Sequence, residues 1–139
     1  MANVPASIEA EEALLGSILL YPQTQTLVFD EALQISDFFD EKHKKIYDAI
    51  SQLQKQQNPI DAQSVITRLS DTQKLDKAGG MEYIFHLTDV AISSSNSAYY
   101  LTIIKEKSLL RKMIEVCENI REKCYQQQYS PLDVLNEAE

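Results

Sequence analysis

Apolar residues in the first twenty positions recur at helical spacing. Ile8, Leu14, Leu15, Ile18 and Leu19 share one face between Ser7, which can cap a first turn, and Pro22, which disfavours helix at Tyr21. Glu9, Glu11 and Glu12 place negative charge where the helix dipole favours it. Gly16 stands inside this helix, where it costs roughly 1 kcal/mol relative to Ala. That position predicts a second helix packed close, against the plainer reading of a tolerated small residue.

The pattern continues as a series of short helices. Gln23 to Leu33 predicts the second, with Leu27, Val28 and Ala32 inward, and Ile35-Ser36-Asp37-Phe38-Phe39 breaks it with an anchored corner. Asp40 caps a third helix to about Gln57, in which Ile46, Tyr47, Ile50 and Leu53 recur every three or four residues. Asn58-Pro59 ends it, and Asp61 caps a fourth carrying Val65, Ile66 and Leu69. Gly79-Gly80 precedes a fifth carrying Met81, Ile84, Phe85 and Leu87.

After the polar run Ser93-Ser94-Ser95-Asn96, which offers a cap, the rhythm lengthens. No Pro or Gly interrupts Ser97 to Gln128, which predicts a helix about 48 Å long at 1.5 Å per residue. Along it Tyr99, Ile103, Glu106, Leu110, Met113, Cys117, Ile120 and Cys124 alternate steps of four and three, a seam that expects a partner helix. Ser130-Pro131 starts a further helix with Leu132 and Leu135 inward. Nine residues cannot cover the long helix, so the expectation is a truncated chain with an incomplete hairpin. The seam could instead pack on its own head, but its length outreaches a head of this size.

The predicted architecture is therefore all-α: a compact head of five to six helices over residues 1–95, then over 96–139 a long helix and the start of an antiparallel hairpin. Composition agrees, since 139 residues with 44% hydrophobic content, three Gly and four Pro describe one helical domain. The formal charge of −8 argues against a large nucleic-acid footprint and for a protein-binding module. The excess acidity lies in residues 1–95, with 7 Lys or Arg against 14 Asp or Glu. Cys117 and Cys124 are too far apart to bridge within one helix and read as reduced core thiols of a cytosolic protein. No secretory or membrane-spanning stretch is evident.

Candidate chemistry is sparse. His43 and His86 have no ligand-spaced Cys, Asp or Glu and read as structural or surface residues rather than metal ligands. Lys42, Lys44 and Lys45 sit among Asp40, Glu41 and Asp48, a solvated face rather than a DNA contact. No nucleophile–base pair can be named, and no Gly-x-x-x-x-Gly-Lys-Ser/Thr loop occurs. No catalytic, cofactor-binding or metal site is expected. On the long helix, Lys105, Lys107, Arg111, Lys112 and Arg121 mix with Glu106, Glu115, Glu118 and Glu122, which suits partner choice more than phosphate binding.

Read together and in order, Ile8 to Leu20, Asp37-Phe38-Phe39 with His43, Pro59-Ile60-Asp61, Gly79-Gly80, Tyr99-Tyr100, Ile103 to Lys107 and Leu109-Leu110-Arg111 resemble the N-terminal domain of DnaB-type replicative helicases. The resemblance implies a helical head and a hairpin that pairs with a neighbouring subunit's hairpin, in a collar above six ATPase motors. It implies hexamer assembly and primase docking, a loader as a further partner, and single-stranded DNA held by the full ring rather than by this domain. ATP and magnesium belong to the absent motor, so this chain alone should not hydrolyse ATP. The implied setting is a bacterial cytosol or a phage-infected cell. Expected interface residues are Tyr99, Tyr100, Ile103, Leu110, Met113, Cys117, Ile120 and Cys124, with the tyrosines at the junction to the head. Two other readings are the helicase-binding domain of a primase, which Met1 and the Ile8 to Leu20 motif disfavour, and a free-standing helical nucleic-acid-binding module.

Overall fold

A computed structural model describes residues 3–91 and 94–139; the predicted cap run begins at Ser93, which lies outside them, as does Met1. Among the described residues the regular structure is helical: α1 (Ile8–Leu20), α2 (Pro22–Asp30), α3 (Glu41–Lys55), α4 (Ala62–Asp71), α5 (Gly80–Val90), α6 (Ser97–Gln126) and α7 (Pro131–Glu137), with short 3-10 turns at Ile35–Asp37, Asp76–Ala78 and Ser94–Asn96.

Local chemistry fixes the helix starts. The Ser7 hydroxyl accepts the Ala10 N–H at 3.2 Å, and Asp40 accepts from the Lys42 N–H at 2.8 Å. Asp61 and Ser64 form a reciprocal capping box, with bonds of 2.7 and 2.9 Å. Pro22 occupies the first turn of α2, so Tyr21 is extended and serves as both the end of α1 and the start of α2. Gly79 adopts φ 99°, a left-handed turn that reverses the chain into α5.

Helix α1 is the centre of the molecule and packs against α5 and α6. Leu14, Leu15 and Ile18 are fully buried, joined in one core by Val28, Phe38, Ile46, Tyr47, Ile50, Val65, Leu69, Ile84 and Leu87. Gly16 is where α1 touches α5: a Cβ built there would overlap the Leu87 carbonyl oxygen and come within 2.8 Å of the Ala91 Cβ. The close contact expected of this glycine is present, and the obstacle is largely backbone.

Polar groups inside this core are matched. The hydroxyls of Ser17, Thr24 and Ser97 form a triangle with sides of 2.9, 2.8 and 3.0 Å, tying α1, α2 and the first residue of α6 together. Glu11, expected only as a first-turn charge, is 1% exposed. Its carboxylate accepts the Phe39 N–H at 2.8 Å, the Asp40 N–H at 3.3 Å and His43 Nδ1 at 2.8 Å. A carboxylate only accepts, so Nδ1 carries a proton. His43 Nε2 lies 2.6 Å from the Tyr83 hydroxyl, which donates to Glu12 at 3.1 Å. Burial pushes the Tyr83 phenol well above its ordinary value of 10.0, and the Glu12 charge beside it adds to this. His43 is thus the buried structural histidine of the sequence reading, bridging α1, α3 and α5.

Several expectations are corrected. Helix α2 ends at Asp30, not Leu33; Ala32 turns outward with φ 54°, and Leu33 takes the buried place because the chain reverses there. Ile8 lies at the exposed rim of the α1 face. On α5, Ile84 and Leu87 face the core while Met81 and Phe85 face solvent. Phe38 anchors the corner, whereas Phe39 lies outside under the Arg111 guanidinium, 5.5 Å from the ring centre. The third and sixth helices stop at Lys55 and Gln126, each followed by a positive-φ glutamine, Gln57 and Gln127.

Candidate self-association surface

Helix α6 carries two apolar stripes on opposite sides. Ser97, Leu101, Ile104 and Ser108 are buried against the head, and partly buried Tyr100 and Ile103 pack beside them. A polar clamp ends this contact. Ser108 donates to Asp37 Oδ1 at 2.7 Å, while the two guanidinium nitrogens of Arg111 donate to the Pro5 and Asp37 carbonyls, each at 2.8 Å. The Lys112 ammonium lies 3.7 Å from the same Asp37 carboxylate. Asp37 also accepts the Gln34 N–H at 2.8 Å, so the carboxylate that shapes the Ile35–Asp37 turn fixes the middle of α6.

Beyond Arg111 the helix leaves the head. Leu110, Met113 and Cys117 are exposed, Met113 by 55%. Ile120 is half-buried and Cys124 exposed, both lining the concave side of the α6–α7 hairpin. Tyr99 is 66% exposed and lies against Tyr100, with ring centres 5.7 Å apart. The seam residues therefore divide: Tyr100 and Ile103 touch the core, and those from Leu110 onward do not. Ile114 and Val116, absent from the seam expectation, are exposed as well, by 48% and 41%. A strict four-three count passes over them because they flank the seam by one residue, and a hydrophobicity reading of the whole turn would have included them.

The cysteines are not core thiols: both are exposed, on the part of α6 that runs past the head to meet α7. Helix α7 turns Val134 inward, not Leu132 and Leu135, which are 63% and 60% exposed. The seven-residue helix docks through Val134 and through Lys123, whose ammonium donates to both Glu137 carboxylate oxygens at 2.8 Å. That carboxylate holds the Lys123 ammonium above its usual range. Together α6 and α7 enclose an open cleft of about 520 Å³ lined by Ile120, Cys124, Tyr129, Pro131, Val134 and Leu135.

Among the described residues no group of three or more His, Cys, Asp or Glu is arranged to hold a metal ion, and no helix is long and apolar enough to cross a membrane. The Lys44 ammonium is paired with Glu41 at 3.1 Å, and Lys42 lies 4.3 Å over the Tyr83 ring, so two of the three clustered lysines are committed locally. The surface that stands out is apolar, helical and unpartnered.

Known proteins share this arrangement. A family model described as the DnaB-like helicase N terminal domain matches residues 3–106. The replicative DNA helicase DnaC of Bacillus subtilis is 36% identical over 135 residues, covering 97% of this chain and 30% of the relative. The replicative DNA helicase DnaB of Geobacillus stearothermophilus is 34% identical over 131 residues, 94% of this chain and 28% of the relative. The chain thus spans about a third of the length of these relatives. The crystal structure of the N-terminal domain of DnaB helicase from Mycobacterium tuberculosis superposes with a TM-score of 0.89 at 30% identity, covering 98% of this chain and 95% of that one. A structure of a DnaB-like replicative helicase and its interactions with primase gives a TM-score of 0.78 at 27% identity, over 96% of this chain and 32% of that one. With the family model matching residues 3–106 and the whole fold superposing on a solved N-terminal domain, this chain belongs to the DnaB-like helicase N-terminal domain family.

Proposed function

We propose that this chain serves as the non-catalytic assembly and docking part of a replicative DNA helicase, self-associating through α6 toward a hexameric ring and presenting a surface to primase. The observation that carries this is the distal half of α6, whose apolar residues project past the Asp37 clamp without cover from the head. An exposed apolar helix face of this kind is a protein-binding feature. The relatives, all replicative helicases, and the structural neighbour solved with primase support the reading. ATP and magnesium would be used by a motor outside this chain, and a helicase loader is a further candidate partner. Strand separation belongs to the whole assembly.

The test is sedimentation of the chain beside its Met113→Glu and Ile120→Glu variants. Wild type associates, and both variants are shifted to monomer with unchanged helicity, because each would bury an unpaired charge in the contact. Titration with a bacterial primase reports the docking part of the reading. An unchanged mass distribution in both variants rejects association through α6, and no binding to primase rejects docking.

A further inference from the structure

Tyr83 stands between two neighbours with one hydrogen to give. Its hydroxyl lies 2.6 Å from His43 Nε2 and 3.1 Å from Glu12 Oε2, and a carboxylate can only accept. With both contacts hydrogen-bonded, the hydroxyl hydrogen goes to Glu12 and the hydrogen on the shorter contact comes from Nε2. The phenol keeps its own hydrogen, because burial and the Glu12 charge oppose its ionisation. On the other side of the ring, Glu11 accepts from the Phe39 and Asp40 N–H groups and from Nδ1, three donors for one carboxylate. Followed from Glu11 to Glu12, every contact in this chain has a hydrogen of its own only when both ring nitrogens of His43 carry one.

The charges around the ring agree with this count. Helix α1 supplies Glu11 and Glu12, the start of α3 supplies Asp40 and Lys42, whose ammonium lies over the Tyr83 ring, and α5 supplies Tyr83 and His86, the latter 3.6 Å from Glu12. From α6, Arg111 lies over Phe39 but is taken up by the Pro5 and Asp37 carbonyls. Three carboxylates thus surround one ammonium, and His43 is fully buried among them. A second proton on the imidazole adds positive charge where an uncompensated carboxylate is costly. We infer that His43 is a doubly protonated cation held by Glu11 directly and by Glu12 through Tyr83, and that loss of its Nε2 proton is transmitted to Glu12. When that proton leaves for solvent at higher pH, Tyr83 turns its hydrogen to Nε2, and the partly exposed Glu12 is released to water and His86. This is a pH-sensitive switch joining α1, α3 and α5, and it is independent of how the distal part of α6 is used.

Nitrogen NMR of the histidine-labelled chain provides the test. There are two histidines, and His86→Gln, at an exposed position, identifies the His43 signals. At about pH 7.5, where a free histidine is mostly uncharged, both His43 ring nitrogens are expected to give signals of the protonated type. As the pH is raised, Nε2 changes to the bare type, and the side-chain carboxyl carbon of Glu12 shifts at the same step. Tyr83→Phe keeps the ring and removes the relay, so the Glu12 shift at that step is lost. Glu12→Gln keeps an acceptor and removes the charge, so Nε2 gives up its proton at a lower pH than in wild type, although residue 12 does not touch His43. A bare Nε2 at about pH 7.5 overturns the inference. So does a Glu12 signal that ignores the His43 step, or one that follows it equally in Tyr83→Phe. Circular dichroism reports whether the variants fold, and if Tyr83→Phe does not, Glu12→Gln decides: a His43 titration that stays where it is in wild type overturns the relay.

Discussion

The two halves of α6 have comparable apolar content and opposite surroundings. From Ser97 to Arg111 the helix lies on α1 and the Ile35–Asp37 turn, held by a hydroxyl triangle at one end and the Asp37 clamp at the other. From Lys112 to Gln126 it keeps the Lys112–Asp37 ion pair at its start and the short α7 beside its end, and Met113, Ile114, Val116 and Cys117 remain in solvent. Apolar periodicity shows that a helix has a face, whereas polar anchors at fixed positions decide which stretch is bound to its own fold. The bound half is core and the distal half keeps its apolar side chains exposed. Substitutions should divide accordingly.

The widest separation is expected from Glu11→Ala. It leaves His43 and two backbone N–H groups without their buried acceptor and should cost about 3–5 kcal/mol by chemical denaturation. Exchange of Met113 for Ala, by contrast, should lie within about 0.5 kcal/mol of wild type in dilute monomer. A matched pair on α6 sharpens the point: Ile104→Ala should cost about 2–5 kcal/mol, and Ile114→Ala next to nothing until the protein is concentrated enough to associate. Equal losses at the two isoleucines, measured at low concentration, would abolish the distinction between the halves.

Overpacking gives a somewhat smaller effect. Gly16→Leu must push α5 away through the Leu87 carbonyl and should lower stability by about 1–3 kcal/mol or more, visible as a depressed Tm. An unchanged Tm would leave the glycine without an explanation. The smallest effect is at Tyr47, whose buried hydroxyl donates to the Leu33 carbonyl at 2.9 Å. Burial, aided by the Asp37 charge, raises this phenol above its ordinary value of 10.0. The folded state therefore keeps a proton that the unfolded chain loses, so the contribution is fully present below pH 10.0 and is lost as pH rises above it. Tyr47→Phe should cost about 1 kcal/mol at neutral pH and make the alkaline fall in Tm shallower, which thermal melts across that range will show.

Much of the fold was legible because its signals are local. Ser7, Asp40 and Asp61 cap their own helices, Pro22 and Gly79 turn the chain where they stand, and none of these depends on distant residues. The length of α6 followed from an uninterrupted run. What could not be read was which side of each helix finds cover. Glu11 looked like a dipole charge, yet it is a buried acceptor for residues 28 to 32 positions away. Cys117 and Cys124 looked like core thiols because apolar spacing carries no record of whether a neighbour exists. Leu132 and Leu135 outweighed Val134 on hydrophobicity, but the Lys123–Glu137 bonds help orient α7 and set Val134 inward. Ile114 and Val116 were missed because they flank the four-three seam by one residue and a strict periodic count passes over them.

The Asp37 clamp has a mechanical consequence. Past Arg111 the helix is a cantilever some 22 Å long at 1.5 Å per residue, built in at one carboxylate, one hydroxyl and one guanidinium. A tilt of about 5° at that root moves the tip by roughly 2 Å, a little over a third of a helical turn's rise. A force on the far end is therefore felt first at Asp37, a residue set apart from the tip by the whole free length of the helix.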